Sequence, residues 1–258
     1  MVCLPGVTRT ARDFTALAEQ LSVADDVGPA MRVITIESRG RGRSDRSDAS
    51  TYTVKRELTD ILGAFKDWGV ERAKIVGTSR GGLLAMIMAM VAPERMAAAV
   101  LNDIGPQIEA VGLSRIAATV GVKMHYPSFE AVGAELEERL TEQFPRLEGD
   151  MWVRLAKQLA RPAKDGGVEL DYDPALSEGF QAAADAPSPD FWPAFDALCK
   201  VPVMVIRGAH SDLLSAATVE AMRRRHRALE TFVAEGEGHA PLLWDRRSIE
   251  AVKRFVAR

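Results

Sequence analysis

The stretch Ala73-Lys74-Ile75-Val76-Gly77-Thr78-Ser79-Arg80-Gly81 joins a strand pattern to a helix pattern through one serine. The apolar run at its start predicts a buried strand, and the stretch from Gly82 to Val91 predicts a helix. The last five residues match G-x-S-x-G, in which small residues allow a tight turn that exposes the serine hydroxyl. Free N–H groups at a helix start favour developing negative charge. Ser79 is therefore the candidate nucleophile.

Two downstream loops carry the acid and the base that a serine nucleophile needs. The run 202–208 predicts a strand that ends in a loop containing Asp212, and the strand pattern 231–234 leads to His239. We assign Asp212 as the acid and His239 as the base. Asp103, which ends the predicted strand 98–102, is the alternative acid. Asp212 is preferred because it lies in the downstream order Ser, Asp, His.

These motifs, together with two near the start of the chain, resemble the α/β-hydrolase superfamily over nearly the whole sequence. Leu4-Pro5-Gly6-Val7 resembles its oxyanion-hole loop, although Pro5 stands where the family commonly has His. The segment 37–44, Glu-Ser-Arg-Gly-Arg-Gly-Arg-Ser, resembles its Asp-x-Arg-Gly-x-Gly-x-Ser motif, with Glu37 in place of Asp. The branch resembled contains single-domain esterases, enol-lactonases and carbon–carbon-bond hydrolases. For the oxyanion hole we assign the backbone N–H groups of Val7 and Arg80.

Strand and helix patterns alternate along most of the chain, which favours an α/β fold with a mostly parallel, doubly wound sheet. The amphipathic stretches from about 53 to 68 and from 247 to 256 predict helices that pack on this sheet. Between 105 and 198 the sequence shows helix-like patterns and no convincing strand. We therefore predict an α/β-hydrolase core made of 1–104 and 199–258, and an inserted helical lid, called here the lid segment, at 105–198.

The resemblance implies that the lid segment covers the nucleophile and shapes the substrate pocket. Four helices are predicted in it, at 113–120, 129–143, 150–159 and 174–184. Its aromatic residues either line the pocket or hold the segment on the core; they are Trp152, Phe180, Phe191, Trp192 and Phe195. Of these we assign Trp152, Phe191 and Trp192 to substrate binding. The Arg80 side chain either binds a substrate carboxylate or forms a structural ion pair.

The oxyanion loop begins at residue 4, whereas in the superfamily two strands precede the strand before that loop. We therefore expect a sheet of about six strands, from a chain that lacks the first two family strands or starts at an internal methionine. The strand at 32–36 should then lie at the margin of the sheet with free N–H and C=O groups. Because such an edge can recruit another strand, we expect a tendency to dimerise or aggregate through it.

Composition favours an enzyme that acts on small molecules. The formal net charge of −3 argues against a nucleic-acid or anionic-membrane partner. Two cysteines make a disulfide scaffold implausible. The chain shows no signal-peptide pattern and no apolar run of membrane-spanning length, so a cytoplasmic location is expected.

The predicted function is a serine hydrolase that cleaves carboxylic esters or lactones through an acyl-enzyme intermediate. This chemistry requires no cofactor or metal. The alternatives are hydrolysis of a carbon–carbon bond beside a ketone, acyl transfer to an acceptor other than water, and a catalytically idle protein that binds a ligand. The substrate is a small-molecule ester or lactone in the preferred hypothesis.

Overall fold

The computed structural model describes residues 1–185 and 189–258 and contains a main sheet of six strands. In chain order the strands are β1 (Val2–Leu4), β2 (Ile34–Thr35), β3 (Ala73–Thr78), β4 (Met96–Asn102), β5 (His125–Tyr126), β6 (Ala160–Pro162), β7 (Val168–Leu170), β8 (Val203–Gly208) and β9 (Glu230–Ala234). The main sheet has the order β2-β1-β3-β4-β8-β9, and every neighbouring pair is parallel. The predicted fold class is therefore confirmed.

The helices include both of those predicted for the core. In chain order they are α1 (Thr15–Leu21), α2 (Val54–Asp67), α3 (Arg80–Val91), α4 (Ala110–Ala117), α5 (Phe129–Leu140), α6 (Asp150–Leu159), α7 (Leu176–Asp185), α8 (Trp192–Ala197), α9 (Ala216–Arg225) and α10 (Arg246–Ala257). The Thr53 hydroxyl accepts a hydrogen bond from the backbone of Arg56 at the start of α2. The Asp245 carboxylate does the same for Arg247 and Ser248 in α10. These side chains satisfy N–H groups that have no partner within the helix, which explains where each helix begins.

Both faces of the main sheet are covered, because successive strand residues point to opposite sides. On one side, Ile75 of β3 and Val205 of β8 belong to a core cluster with residues of α2, α3, α8 and α9. On the other side, Val76 and Ile206 pack with residues of α1 and α10. All four strand residues are fully buried. The carboxyl ends of the strands are thus held in one place by two apolar layers.

The strand β2 lies at the edge of the main sheet and pairs with β1. Its predicted position at the margin is confirmed, although the strand is limited to Ile34 and Thr35. Dimerisation or aggregation through this edge stays a prediction.

The lid segment contains α4, α5, α6 and α7, close to the four predicted helices, but it also contains strands that the sequence did not indicate. These strands form a second, antiparallel sheet with the order β5-β7-β6. Each has only two or three residues, too few for an alternating pattern to be recognised. Gly166 and Gly167, which suggested a break, have φ angles of 100° and 70° and form the turn between β6 and β7. The expectation of a purely helical segment was wrong.

The last helix before the core resumes, α8, packs against α3. Its Ala194 and Phe195 are buried in the same cluster as the strand residues Ile75 and Val205. The division of the chain at 105 and 198 stays a prediction.

Candidate active site

Ser79 lies on a strained turn between β3 and α3. Its φ of 51° and ψ of −117° place a non-glycine residue where side chains are rarely found. Small neighbours make the turn possible. A Cβ on Gly77 would lie 2.5 Å from the carbonyl carbon of Gly81, and one on Gly81 would lie 2.0 Å from the carbonyl oxygen of Leu4. The glycines of the motif are therefore required by close backbone contacts.

A continuous chain of hydrogen bonds joins Ser79, His239 and Asp103. His239 Nε2 lies 2.9 Å from Ser79 Oγ, and His239 Nδ1 lies 2.8 Å from Asp103 Oδ2. The side chain of Asp103 is fully buried, and that of His239 is 6% exposed. The arrangement has the geometry of a nucleophile, a base and an orienting acid.

The structure places Asp103, the alternative acid, against His239, so the pairing of Asp212 with His239 was wrong. Asp103 follows the last residue of β4 and has a φ of 55°. Its Oδ1 accepts a hydrogen bond from the backbone N–H of Gly208, and its Oδ2 accepts one from the Ser211 hydroxyl. The loop after β8 thus supports the acid instead of providing it.

Asp212 forms its contacts with the lid segment. Its two oxygens accept hydrogen bonds from Arg115 of α4, with N···O distances of 2.7 and 3.0 Å, and Oδ2 also accepts one from Gln143 Nε2 at 2.9 Å. Partial burial raises the pKa of Asp212, but the hydrogen bonds and charge of Arg115 outweigh burial and lower the pKa overall. Gln143 Oε1 in turn accepts a hydrogen bond from the backbone N–H of His239. Asp212 therefore holds the lid segment to the loop after β8, and Gln143 joins the lid segment to the loop that carries the base.

The predicted oxyanion donors lie on two loops next to the nucleophile. A Cβ on Gly6 would lie 3.8 Å from Ser79 Cβ, which places the loop after β1 beside the serine. Among the described residues, no intramolecular hydrogen bond uses the N–H of Val7 or of Arg80. Two free N–H groups beside the nucleophile are what an oxyanion hole requires. Their catalytic use stays a prediction.

A cavity of about 420 Å³ reaches both Ser79 and His239. Its walls come from the loop after β1, the loop around His239 and the lid segment, with apolar surface from Ile116, Leu136 and Leu242. Ionic side chains also line it. Among the described residues these are the cations Arg9, Arg115, Lys123 and Arg139 and the carboxylates Asp13 and Glu135, besides His239. The cavity can hold a small molecule, and its cations outnumber its carboxylates.

The side chains that were assigned to substrate binding do not line this cavity. Trp152 is 1% exposed and packs with Phe144 and Leu155, two residues that line the cavity, but does not line it itself. Arg80 Nε and Nη2 donate hydrogen bonds to Glu57, so the Arg80 side chain forms a structural ion pair, which was the alternative to binding a substrate carboxylate. The prediction that these two side chains face the substrate was wrong, because both are engaged by neighbouring elements.

The aromatic pair at the start of α8 also lies elsewhere. Trp192 contacts Phe195 edge to face. The Arg225 guanidinium lies over the Trp192 ring, with its Cζ atom 4.2 Å from the ring centroid. Phe191 immediately precedes this helix, and neither Phe191 nor Trp192 lines the cavity. Their assignment to substrate binding was wrong because α8 packs on the core.

Arg115 and Gln143 are site residues that the sequence did not indicate. Each lies in the lid segment at a position with no motif around it, and the first belongs to an ordinary amphipathic helix. Asp103 did carry a signal, since a carboxylate at the end of a parallel strand points to the functional edge of the sheet.

Another carboxylate, that of the half-buried Glu237, lies two residues before His239. Burial raises its pKa to about 7, while a hydrogen bond from the backbone N–H of Leu242 acts in the opposite direction. The charge of Asp245 raises the pKa further, and that of Arg146 lowers it. This carboxyl group therefore changes charge near neutral pH.

Comparison with known proteins agrees with the fold and supports a hydrolase. The model of the alpha/beta hydrolase family matches residues 1–254. The 3-hydroxybutyrate-oligomer hydrolase of Cupriavidus necator is 32% identical over 99% of this chain and 87% of its own length. The 2-(acetamidomethylene)succinate hydrolase of Mesorhizobium japonicum is 27% identical over 93% of this chain and 81% of its own length.

A crystal structure of an alpha/beta hydrolase from Novosphingobium aromaticivorans has a TM-score of 0.91 and 40% sequence identity, and covers 99% of this chain and 88% of that one. The chain belongs to the α/β-hydrolase family, and its named relatives support a hydrolase.

Two further findings concern residues 1–185 and 189–258. No helix there is long and apolar enough to cross a bilayer. In the same residues, no group of three or more His, Cys, Asp or Glu side chains could hold a metal ion.

Proposed function

We propose that this protein is a serine hydrolase that cleaves carboxylic esters, including lactones, through Ser79, His239 and Asp103. The observation that supports this most directly is the hydrogen-bonded chain from Ser79 Oγ through both imidazole nitrogens to the buried Asp103 carboxylate. A serine hydroxyl is a weak nucleophile unless a neighbouring base accepts its proton. Here that base lies within hydrogen-bond distance.

In the first half of the reaction, Ser79 Oγ attacks the ester carbonyl carbon while its proton passes to His239 Nε2. The N–H groups of Val7 and Arg80 stabilise the negative charge that forms on the carbonyl oxygen. Asp103 keeps the proton of the neutral imidazole on Nδ1 and stabilises the imidazolium ion. When the carbon–oxygen bond breaks, His239 gives its proton to the departing alcohol, and an acyl-enzyme remains.

In the second half, water attacks the acyl-enzyme and gives a proton to His239. The tetrahedral intermediate collapses, the acid departs, and Ser79 regains its proton from the imidazole. Atoms and protons balance, with one ester and one water giving one acid and one alcohol. Each protein group in this sequence is supplied by the loops at the carboxyl ends of β1, β3, β4 and β9.

We further propose esters of hydroxy acids that bear a free carboxylate as the substrate class. The Cupriavidus necator relative is named for 3-hydroxybutyrate oligomers, which contain ester bonds and a terminal carboxylate. When Asp212, the partner of Arg115, is counted, four cations face three carboxylates at the cavity, and this excess of one positive charge favours an anionic substrate. Comparing kcat/KM for a 3-hydroxybutyrate dimer and for its methyl ester tests this class. A preference for the methyl ester would contradict it.

The decisive test of the chemistry is Ser79→Ala, with Ser22→Ala, which removes an exposed hydroxyl at the end of α1, as the matched control. The wild-type protein and the control should hydrolyse p-nitrophenyl butyrate, and a fluorophosphonate should label Ser79. Ser79→Ala should reduce kcat by roughly 10⁶, since members of a triad act as a unit. Equal turnover in Ser79→Ala and Ser22→Ala would falsify the assignment.

A further inference from the structure

A compact ion cluster lies beneath the nucleophile turn and is formed by Arg41, Glu57 and Arg80. Arg41 Nη1 donates to Glu57 Oε1 at 2.9 Å, while Arg80 Nε donates to Oε2 at 2.9 Å and its Nη2 to Oε1 at 3.0 Å. The side chains of Arg41 and Glu57 are each 1% exposed, and that of Arg80 is 15% exposed. One carboxylate on α2 therefore holds two guanidinium groups.

Each arginine is connected to one of the two loops that carry the candidate oxyanion donors, Arg41 by a hydrogen bond and Arg80 because it belongs to the turn itself. Arg41 Nε donates to the carbonyl oxygen of Val7 at 2.7 Å, and thereby fixes the residue that carries one of the two candidate donors. Arg80 is itself the residue after the nucleophile, and its side chain is held by Glu57 and by the carbonyl oxygen of Tyr52. Glu57 is thus the point at which these two loops are joined.

Stability alone is a weak reason for such a cluster. Removing charges from water costs free energy, and buried ion clusters can often be replaced by apolar residues without loss of stability. Burial raises the pKa of Glu57, but the charges of Arg41 and Arg80 outweigh burial and lower the pKa overall. Glu57 is therefore charged at neutral pH and able to fix both arginines. Bidentate hydrogen bonds set the position of a guanidinium more strictly than apolar contacts do.

We propose that Glu57 is a positioning residue for the oxyanion hole, which sets the separation of the Val7 and Arg80 N–H groups through Arg41 and the Arg80 side chain. This inference rests on the oxyanion hole of the proposed function. It assigns a role to Arg41 of the glycine-rich segment 37–44 and to the side chain that follows the nucleophile. Oxyanion donors act mainly in the transition state, because they point to where the oxygen lies in the tetrahedral intermediate.

The first test is Glu57→Gln, which keeps the shape of the side chain and removes its charge. We expect kcat for p-nitrophenyl butyrate to fall roughly 10- to 100-fold with KM close to the wild-type value, since small misplacements of catalytic groups cost about that much. The rate constant for fluorophosphonate labelling of Ser79 should fall in parallel. If Glu57 had a purely structural role, the substitution would lower the melting temperature and would not lower kcat while KM stays unchanged.

Two other carboxylates, each of which is bonded to two arginines, serve as matched controls. Asp60 lies one turn further along α2 and bonds Arg39 and Arg56. Asp171 matches Glu57 in burial and bonds Arg12 and Arg161. Asp60→Asn and Asp171→Asn should each leave kcat and the labelling rate unchanged, because no hydrogen bond of their four arginine side chains to a described residue reaches Val7 or Ser79.

Glu57→Gln leaves Arg41 buried without its counter-charge and can therefore prevent folding. A second pair of variants is made at Arg80, the most exposed member of the cluster. Arg80→Met removes both bonds to Glu57 and keeps the backbone N–H of residue 80. It should lower kcat and the labelling rate as Glu57→Gln does. Arg80→Lys keeps the charge, loses the bidentate geometry, and should restore part of the rate.

The inference is overturned if folded Arg80→Met and Glu57→Gln label and turn over as fast as the two controls. It is also overturned if their losses appear in KM alone. Failure of the proposed function gives a different pattern. If the wild-type protein is labelled at Ser79 but hydrolyses no ester, the ester assignment fails, and the labelling rates of the variants still decide the role of Glu57. If wild-type Ser79 is not labelled and no ester is cleaved, both proposals fail.

Discussion

The loops after β4 and β8 each present an aspartate near the candidate base, and the two carboxylates are used differently. Asp103, after β4, is fully buried and accepts hydrogen bonds from Ser211 and His239. Asp212, after β8, is 20% exposed and is held by Arg115 and Gln143 of the lid segment. The first therefore meets the loops at the carboxyl ends of the strands, and the second meets the lid segment. The groups that reach a carboxylate decide its role more than its place in the chain order does.

Among substitutions in these two loops, Asp103→Asn is expected to lower kcat the most. The amide would donate to His239 Nδ1 and place the imidazole proton on Nε2, facing Ser79, where the base can no longer accept a proton. We expect kcat for p-nitrophenyl butyrate to fall by roughly 10⁴. Steady-state kinetics measure this loss, and near-ultraviolet circular dichroism shows whether the core remains intact.

An intermediate effect is expected for Asp212→Asn, which breaks the bidentate pair with Arg115. Partly exposed ion pairs contribute little, so the free energy of unfolding should fall by only about 1 kcal/mol. The lid segment should be held less firmly, which raises KM and exposes the segment to limited proteolysis, while kcat changes far less than in Asp103→Asn. Arg115→Gln is the matched variant and should give the same pattern. If Asp212→Asn instead loses as much kcat as Asp103→Asn, the acid has been assigned to the wrong loop.

The smallest effect on catalysis is expected at Glu237, whose carboxylate bonds no histidine or arginine side chain among the described residues. Its pKa is raised from 4.5 to about 7. Between these values the folded protein retains a proton that the unfolded chain has lost, so the free energy of unfolding falls as pH rises through this window. Glu237→Gln keeps an acceptor for the Leu242 N–H and removes the ionisation.

Relative to wild type, Glu237→Gln should therefore gain stability as pH rises from about 4.5 to about 7, by at most about 3 kcal/mol. Urea unfolding at several pH values measures this difference. Glu235→Gln, at the exposed neighbouring carboxylate, is the control and should show no such trend. If the difference between Glu237→Gln and wild type does not grow across the window, Glu237 is charged in the folded protein throughout.

Much of the core could be predicted from the sequence because its signals are local. The helix predicted at about 53–68 is observed as α2 at Val54–Asp67, since its apolar period and the Thr53 cap lie within one short segment. The lid segment was predicted less well. Its sheet is built from strands too short to show a pattern, and its bonds to Asp212 join Arg115 and Gln143 to a residue far along the chain.

The family, the candidate nucleophile between β3 and α3 and the candidate base after β9 could be predicted from the sequence, because each depends on neighbouring residues or on chain order. The packing of the whole fold was needed to show which aspartate meets His239, which side chains reach the cavity and that Glu57 bonds both Arg41 and Arg80. Asp103 and His239 are 136 residues apart in the chain and 2.8 Å apart in the fold. Such contacts depend on how strands, helices and lid pack together, and no short stretch of sequence encodes that packing.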